Sequence, residues 1–329
     1  MYNTKLSELA KTIAKYNNYI VSSHTNLDGD ALGSELAVFF MLKNLNKNVQ
    51  IINHEKPPEI YNFLPGIEEI YYPGKNNDHG LLNNKSDVIL IIVDCSNLER
   101  IGDIGVDMDK IKFIINIDHH PSNTFFGKYN YIDKGASSVG EMLFDLGQEI
   151  KCTFSKEIAI TMYTAIVTDT GSFRYSNTSA KTFWVSYKLI EMGVNPSRVA
   201  DYVYNNNKPS TLKLLGEALR RIKTNSSLKI SWTFVTRKIL KDTQADDEEV
   251  EGIVDKILSI KNVQVSVFFR ETKDGPIKVS FRSKGNFNVD KFARQFGGGG
   301  HPNAAGCIIE DEINKTVEQV IKKLQSELN

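Results

Sequence analysis

The sequence predicts an α/β protein: an N-terminal, mostly parallel sheet flanked by helices, followed across a cleft by a smaller C-terminal α/β domain. Three observations predict it. Short apolar runs of strand length alternate with helical stretches over residues 4–169, several of those runs end on polar or acidic residues, and a break rich in proline and asparagine precedes a second set of strands and helices. The length of 329 residues agrees, because one domain usually takes roughly 100 to 200 residues.

In chain order, residues 4–16 carry an amphipathic helical pattern, and NYIVSSH (18–24) is a short apolar strand stopped by the polar cluster TNLDGD. Apolar residues recur at helical spacing from Ala31 to Leu45, and NVQIIN (48–53) returns to strand character, completing a βαβ unit. The runs DVILIIV (87–93) and KFIINI (112–117) are followed by Asp94 and Asp118. Residues 155–168 exceed usual strand length and read as a buried helix ending at Asp169. The prolines and the asparagine triplet of residues 193–212 place a linker there, between a domain at 1–192 and another at 213–329. The second domain reads as strand (228–236), helix with an acidic start (246–260), strands (263–270 and 277–283), short helix (288–296), a glycine-rich loop, a strand and a final helix.

Composition narrows the function. Forty Lys plus Arg balance forty Asp plus Glu, so the chain lacks the basic field that long duplex nucleic acid requires, and any nucleic acid partner is expected to be short. No apolar run approaches the roughly 20 residues of a membrane span, and the first residues are too polar for a secretory signal, so a cytoplasmic protein without a membrane partner is expected. Three cysteines without metal-binding spacing suit a reducing compartment.

Ligands of open parallel sheets bind beyond the carboxyl ends of the strands, where side chains remote in sequence converge. His24, Asp28 and Asp30 lie on the turn after the first strand, Asp94 and Asp118-His119-His120 follow two others, and Asp169 ends an apolar helix. An Asp at a helix start is ordinarily a cap, and a lone His at a strand end is ordinarily structural. The accumulation of these residues favours a cation site instead. His24, Asp28, Asp30, Asp94, His119 and Asp169 make six oxygen and nitrogen ligands, enough for two divalent ions sharing a carboxylate. The absence of thiolate argues against structural zinc and suits Mn2+, with Mg2+, Co2+ or Fe2+ as substitutes. Two such ions activate water and stabilise an in-line phosphoryl displacement. No nucleophile elbow, Walker loop or dinucleotide fingerprint points to other chemistry.

The motifs HTNLDGDALGS, VDCS, IDHHPSN, ASSVGEM and TDTGSFRYSNTS, with FRSKG and GGGGHPNAAG downstream, closely resemble the DHH phosphoesterase family and its DHH-associated carboxyl-terminal domain. Within it they are most similar to the branch of bifunctional oligoribonucleases (nanoRNases) and 3′-phosphoadenosine 5′-phosphate (pAp) phosphatases. The resemblance implies the DHH fold, exonuclease-like hydrolysis of short RNA oligonucleotides or small nucleotide phosphates by metal-activated water, and a homodimer. It implies His24, Asp28 and Asp94 for one metal and Asp30, Asp94, His119 and Asp169 for the other. Catalytic work falls to Asp94, to His120 beside the metals, and to Asp118, which orients the imidazoles. Leu27 departs from the proline usual before the first aspartate, which bears on metal affinity.

Glycines let backbone amides approach an anion, so Gly298, Gly299, Gly300 and His301, with Arg282 and Ser283, are expected to bind substrate, as is His120. Arg174 is a further candidate for the scissile phosphate. Rival readings are hydrolysis of pApA or cyclic di-AMP, inorganic pyrophosphatase or polyphosphatase action, and a noncatalytic nucleotide sensor.

Overall fold

A computed structural model describes residues 3–73 and 87–328. The chain divides into two compact units, Met1–Asn206 and Asn207–Asn329, with the boundary inside the segment read as a linker. In the first unit the elements are α1 (Leu6–Lys15), β1 (Asn18–Ser22), α2 (Gly29–Asn44), β2 (Asn48–Ile52), β3 (Ile70–Tyr71), β4 (Val88–Val93), β5 (Ile111–Asp118), β6 (Tyr129–Ile132), α3 (Val139–Glu149), α4 (Lys156–Asp169), α5 (Ala180–Glu191) and α6 (Pro196–Tyr204). The strands form one sheet in the order β3-β2-β1-β4-β5-β6, and every pairing is parallel.

The apolar runs become central strands because both faces of this sheet are covered, which favours continuous hydrophobic sequence over alternation. Every residue of β4 is buried. Its side chains divide by parity, with Ile89, Ile91 and Val93 entering the core beneath α2 and α4, and Val88, Leu90 and Ile92 entering a smaller cluster with Cys95, Ile101 and Ile104. Helix α4 is buried along most of its length, as its apolar pattern predicts.

Glycines bring α2 against α4. A Cβ on Gly33 would lie 2.5 Å from the Thr161 carbonyl oxygen, and one on Gly29 would lie 2.4 Å from the Thr168 side chain. The close approach sets the start of α2, which carries Asp28 and Asp30, beside the end of α4, which carries Asp169.

The second unit contains α7 (Pro209–Arg220), β7 (Lys223–Thr224), β8 (Ile230–Val235), α8 (Arg237–Thr243), α9 (Ile253–Leu258), β9 (Val265–Glu271), β10 (Ile277–Ser283), α10 (Val289–Arg294), β11 (Gly299–His301), β12 (Ala304–Ile309) and α11 (Ile313–Leu328). Its sheet has the order β11-β12-β10-β9-β8-β7, with β8 and β9 parallel and the other neighbours antiparallel. Among the described residues no helix is long and apolar enough to cross a membrane.

Three segments differ from expectation. Residues 193–212 are largely helical, because Pro196 and Pro209 sit in the first turns of α6 and α7, where a missing N–H costs nothing. The helix expected over residues 246–260 is a single turn, Asp247–Val250, separated from α9 by Gly252 at φ 77°. The glycine run enters the sheet as β11 instead of remaining a loop.

The α2–α4 contact leaves no room for a methyl group. We expect Gly33→Ala to destabilise the first unit by about 1–3 kcal/mol, the usual cost of overpacking, measured as a lower urea midpoint for that unit's unfolding transition.

Candidate metal centre

Strand order reverses between β1 and β4, and the crevice at such a switch point is where open parallel sheets hold ligands. His24 follows β1, Asp94 follows β4, and Asp118 closes β5 just before His119 and His120. Asp94 stands at φ 51°, in the left-handed region that Asp tolerates better than most residues, and its amide donates to the Ile117 carbonyl. Backbone strain at a carboxylate in a crevice is typical of a functional position.

The six expected ligands converge in two sets of three, and a third set, Asp94, His119 and His120, overlaps both. His24, Asp28 and Asp94 form one, and Asp30, His119 and Asp169 another, each with donor atoms within 4.8 Å of one another. Asp94 joins them, with Oδ2 3.4 Å from His24 Nε2 and Oδ1 3.6 Å from His119 Nε2. His119 Nε2 also lies 3.7 Å from Asp30 Oδ2 and 3.6 Å from Asp169 Oδ2. These gaps exceed ordinary hydrogen bonds.

Each imidazole is aimed by its other nitrogen. His24 Nδ1 donates to the Thr25 carbonyl at 2.8 Å and His119 Nδ1 to the Ala136 carbonyl at 3.2 Å; carbonyls only accept, so in the neutral form each ring carries its lone pair on Nε2, available to a cation. His120 is held differently. Its Nδ1 donates to Asp118 Oδ1 at 2.6 Å, and the fully buried Asp118 also accepts from Asn123 Nδ2 at 2.6 Å. Burial works to raise the Asp118 carboxyl, but the hydrogen bonds and charge of His120 and the bond from Asn123 hold it below its ordinary value.

The capping and ligating readings of Asp28 both hold. Oδ1 caps α2 by accepting from the amides of Asp30 and Ala31 at 3.0 Å, while Oδ2 faces His24 Nε2 at 3.9 Å. Asp30 is fixed from across the unit: Val139 N donates to Oδ2 at 2.8 Å, and Gly140 N and Ser34 Oγ donate to Oδ1.

Four carboxylates in this space repel one another. Burial, followed by its aspartate neighbours, pushes Asp94 well above the usual carboxylate range. Burial raises Asp30 to about 7 and Asp169 to about 6. Asp94 is 2 % exposed, and its Oδ1 has no hydrogen-bond partner among the described residues. An orphaned buried carboxylate oxygen between two aimed imidazoles fits a divalent cation, and two such ions would balance the four carboxylates.

Several supporting groups escaped the sequence reading. Asn177 holds Asp169 through its carbonyl and Oδ2, and Asn123 ties Asp118 to Asn116. The amides that grip Asp30 open α3, whose Ser138 cap with Glu141 three residues on was a usable sign of a helix start.

The expected substrate residues lie apart from the metal ligands in sequence and differ in condition. Arg174, exposed in the loop after α4, donates from Nε to the Gly171 carbonyl at 2.6 Å. In the second unit, Arg282 Nε lies 3.3 Å from Asp255 Oδ1. The Ser283 hydroxyl donates to the Phe287 carbonyl at 2.7 Å and accepts from Asn303, so it shapes its own loop. A Cβ on Gly298 would meet the Gly306 carbonyl oxygen at 2.1 Å, and the Gly300 amide donates to Asp290 Oδ1 at 2.8 Å. The glycines therefore serve close strand packing, and the amide of Gly300 is engaged by a carboxylate of the same unit. His301 pairs through its backbone with Ala304; its side chain lies outside what is described.

Comparison with known proteins gives two family matches, the DHH family N-terminal domain over residues 18–166 and the DHHA1 domain over residues 232–329. The chain is 31% identical to a protein of Thermus thermophilus named bifunctional oligoribonuclease and PAP phosphatase NrnA, covering 94% of this chain and 89% of that one. It is 29% identical to a protein of the same name from Bacillus subtilis, covering 92% and 93%. A crystal structure of an exopolyphosphatase-related protein from Bacteroides fragilis superimposes with a TM-score of 0.90 at 28% identity, over 98% of this chain and 97% of that one.

The electrostatics predict how stability varies with pH when metal is absent. Asp30 and Asp169 bind protons more tightly when folded than their ordinary 3.8, so their contribution falls as pH rises from about 4 to about 7. Burial opposes protonation of His119, yet Asp169, Asp30 and Asp94 raise it from 6.5 to about 9, and its stabilisation is likewise lost with rising pH. The melting temperature of metal-stripped protein should thus fall between about pH 5 and about pH 8, and added divalent cation should flatten the fall; a rise in the stripped protein would contradict this account.

Proposed function

We propose, because the chain belongs to the DHH family, that it is a metal-dependent phosphoesterase hydrolysing short oligoribonucleotides and pAp. The observation that carries this reading is the buried, unpartnered Oδ1 of Asp94, standing where two ligand sets meet. Relatives named oligoribonuclease and PAP phosphatase, matched over nine-tenths of this chain, support the substrate class.

His24, Asp28 and Asp94 would hold one divalent cation, and Asp30, Asp94, His119 and Asp169 the other, with Mn2+ suited to this carboxylate and imidazole set. Such a pair, when bound, lowers the pKa of water and stabilises charge developing on phosphoryl oxygens. Around it, a water oxygen attacks phosphorus, the phosphoester P–O bond breaks, and the leaving oxygen takes up a proton. Asp118 fixes the His120 ring through Nδ1, which makes Nε2 the atom that hydrogen-bonds the phosphate or delivers that proton. Arg174 is assigned to the substrate phosphate. In the second unit, Arg282 and His301 are assigned to the nucleotide, with Gly298, Gly299 and Gly300 setting the strand that carries His301. The free thiols Cys95, Cys152 and Cys307 suit a cytoplasmic setting.

A second reading, action on inorganic polyphosphate, is favoured by the likeness to the exopolyphosphatase-related structure. One panel separates the readings: short RNAs, pAp, pApA, cyclic di-AMP, pyrophosphate and polyphosphate, each assayed with Mn2+. Short RNAs and pAp should be turned over fastest; pyrophosphate or polyphosphate far ahead of every nucleotide would overturn the substrate assignment, and nucleotide binding without phosphate release would indicate a sensor. Asp94→Ala should lower kcat by about a thousandfold or more, while His301→Ala should chiefly raise KM.

A further inference from the structure

The turn between β1 and α2 carries His24 and Asp28, and three consecutive amides within it are held from outside. The Thr25 N–H donates to the Arg100 carbonyl at 2.7 Å. The N–H groups of Asn26 and Leu27 both donate to Oε1 of Glu55, the second at 3.2 Å. Glu55 is half-buried in the segment that follows β2, while Arg100 belongs to the segment that follows β4. The turn is therefore gripped from both strands that flank β1 in the sheet.

The grip fixes a conformation the turn would not hold unaided. Asn26 stands at φ 61°, a left-handed setting that a single residue keeps only when its surroundings determine it. Leu27 is 5 % exposed, with its side chain in the core and its amide on Glu55. A proline at 27 would have no N–H to give and would disfavour helical dihedrals, left-handed ones included, in the residue before it. Here the N–H that proline lacks is in use. Behind Glu55, His54 packs on Gly102, and its Nδ1 lies 2.9 Å from the Asp103 carbonyl oxygen and 3.1 Å from the Asp103 amide nitrogen, which anchors the gripping segment to the loop that holds Thr25.

We infer that Glu55 is a positioning residue for the cation held by His24, Asp28 and Asp94, acting through two charge-assisted hydrogen bonds that set the turn; the inference rests on the metal-centre reading. Glu55 is not itself a ligand: its oxygen is spent on amides, and it belongs to none of the candidate ligand sets. It acts as the outer partners of a metal site do, by reducing the freedom of the ligands before the ion arrives.

The experiment is calorimetric titration of the metal-stripped full chain with Mn2+, alongside the melting temperature of the same stripped protein. Glu55→Ala should weaken one of the two Mn2+ binding events about tenfold or more and lower the melting temperature less without metal than with it. Glu55→Gln keeps an oxygen for both amides while losing the charge, and should recover most of the affinity. The inference is overturned if Glu55→Ala binds Mn2+ as tightly as the unaltered chain. It is also overturned if Glu55→Gln is as weak as Glu55→Ala, because charge alone would then be responsible, or if Glu55→Ala melts as much earlier without metal as with it. Absence of any Mn2+ binding by the unaltered chain would instead sink the metal-centre reading beneath it.

Discussion

The first unit is organised around one costly group, the Asp94 carboxylate, buried at the end of β4 with an oxygen that accepts no hydrogen bond among the described residues. A carboxylate so placed destabilises unless a positive partner is supplied. Three further aspartates aggravate the problem, and of the three imidazoles within 3.6 Å, His24 and His119 turn Nδ1 toward backbone carbonyls while His120 turns its own toward Asp118. The arrangement makes physical sense as half of a coordination sphere. A small divalent cation that accepts oxygen and imidazole nitrogen would fit that half.

The rest of the unit holds that half-sphere rigid. Strand pairing fixes the spacing of the β1, β4 and β5 ends, and glycine-mediated packing of α2 on α4 brings Asp28 and Asp30 to Asp169. The opening amides of α3 hold Asp30, whose charge suits the positive end of a helix dipole. Asp118 is spent on His120 and Asn123, and so stays outside the coordination sphere while setting the ring beside it.

Much of this was legible in the sequence where the signal is local. Residues 87–93 and 112–117 announce buried parallel strands by uninterrupted apolar character, and the acids that follow announce the edge of a site. The six candidate ligands could be proposed because they end apolar segments or lie on the turn just after one, and the structure brings them together. What was not legible depends on pairing between distant segments. β3 and β6, of two and four residues, are too short to carry a pattern and exist because a neighbouring strand accepts them. The glycine run reads as a loop until β12 is laid beside it, and only then is Gly298 seen to be demanded by the Gly306 carbonyl. Asn177 and Asn123 are ordinary loop asparagines until their targets are in place.

The candidate ligands come from four separate stretches of chain, around residues 24–30, at 94, at 119 and at 169, and none holds the whole set. An ion therefore cannot template this fold as zinc templates a finger. Long-range parallel pairing brings the strand ends that carry these residues together, and it buries Asp30 and Asp94 while Asp28 stays exposed. Burial eases that passage by letting the aspartates retain protons they would shed in water. A divalent cation that bound among these carboxylates would have to displace those protons, so its loading would acidify the surrounding solution.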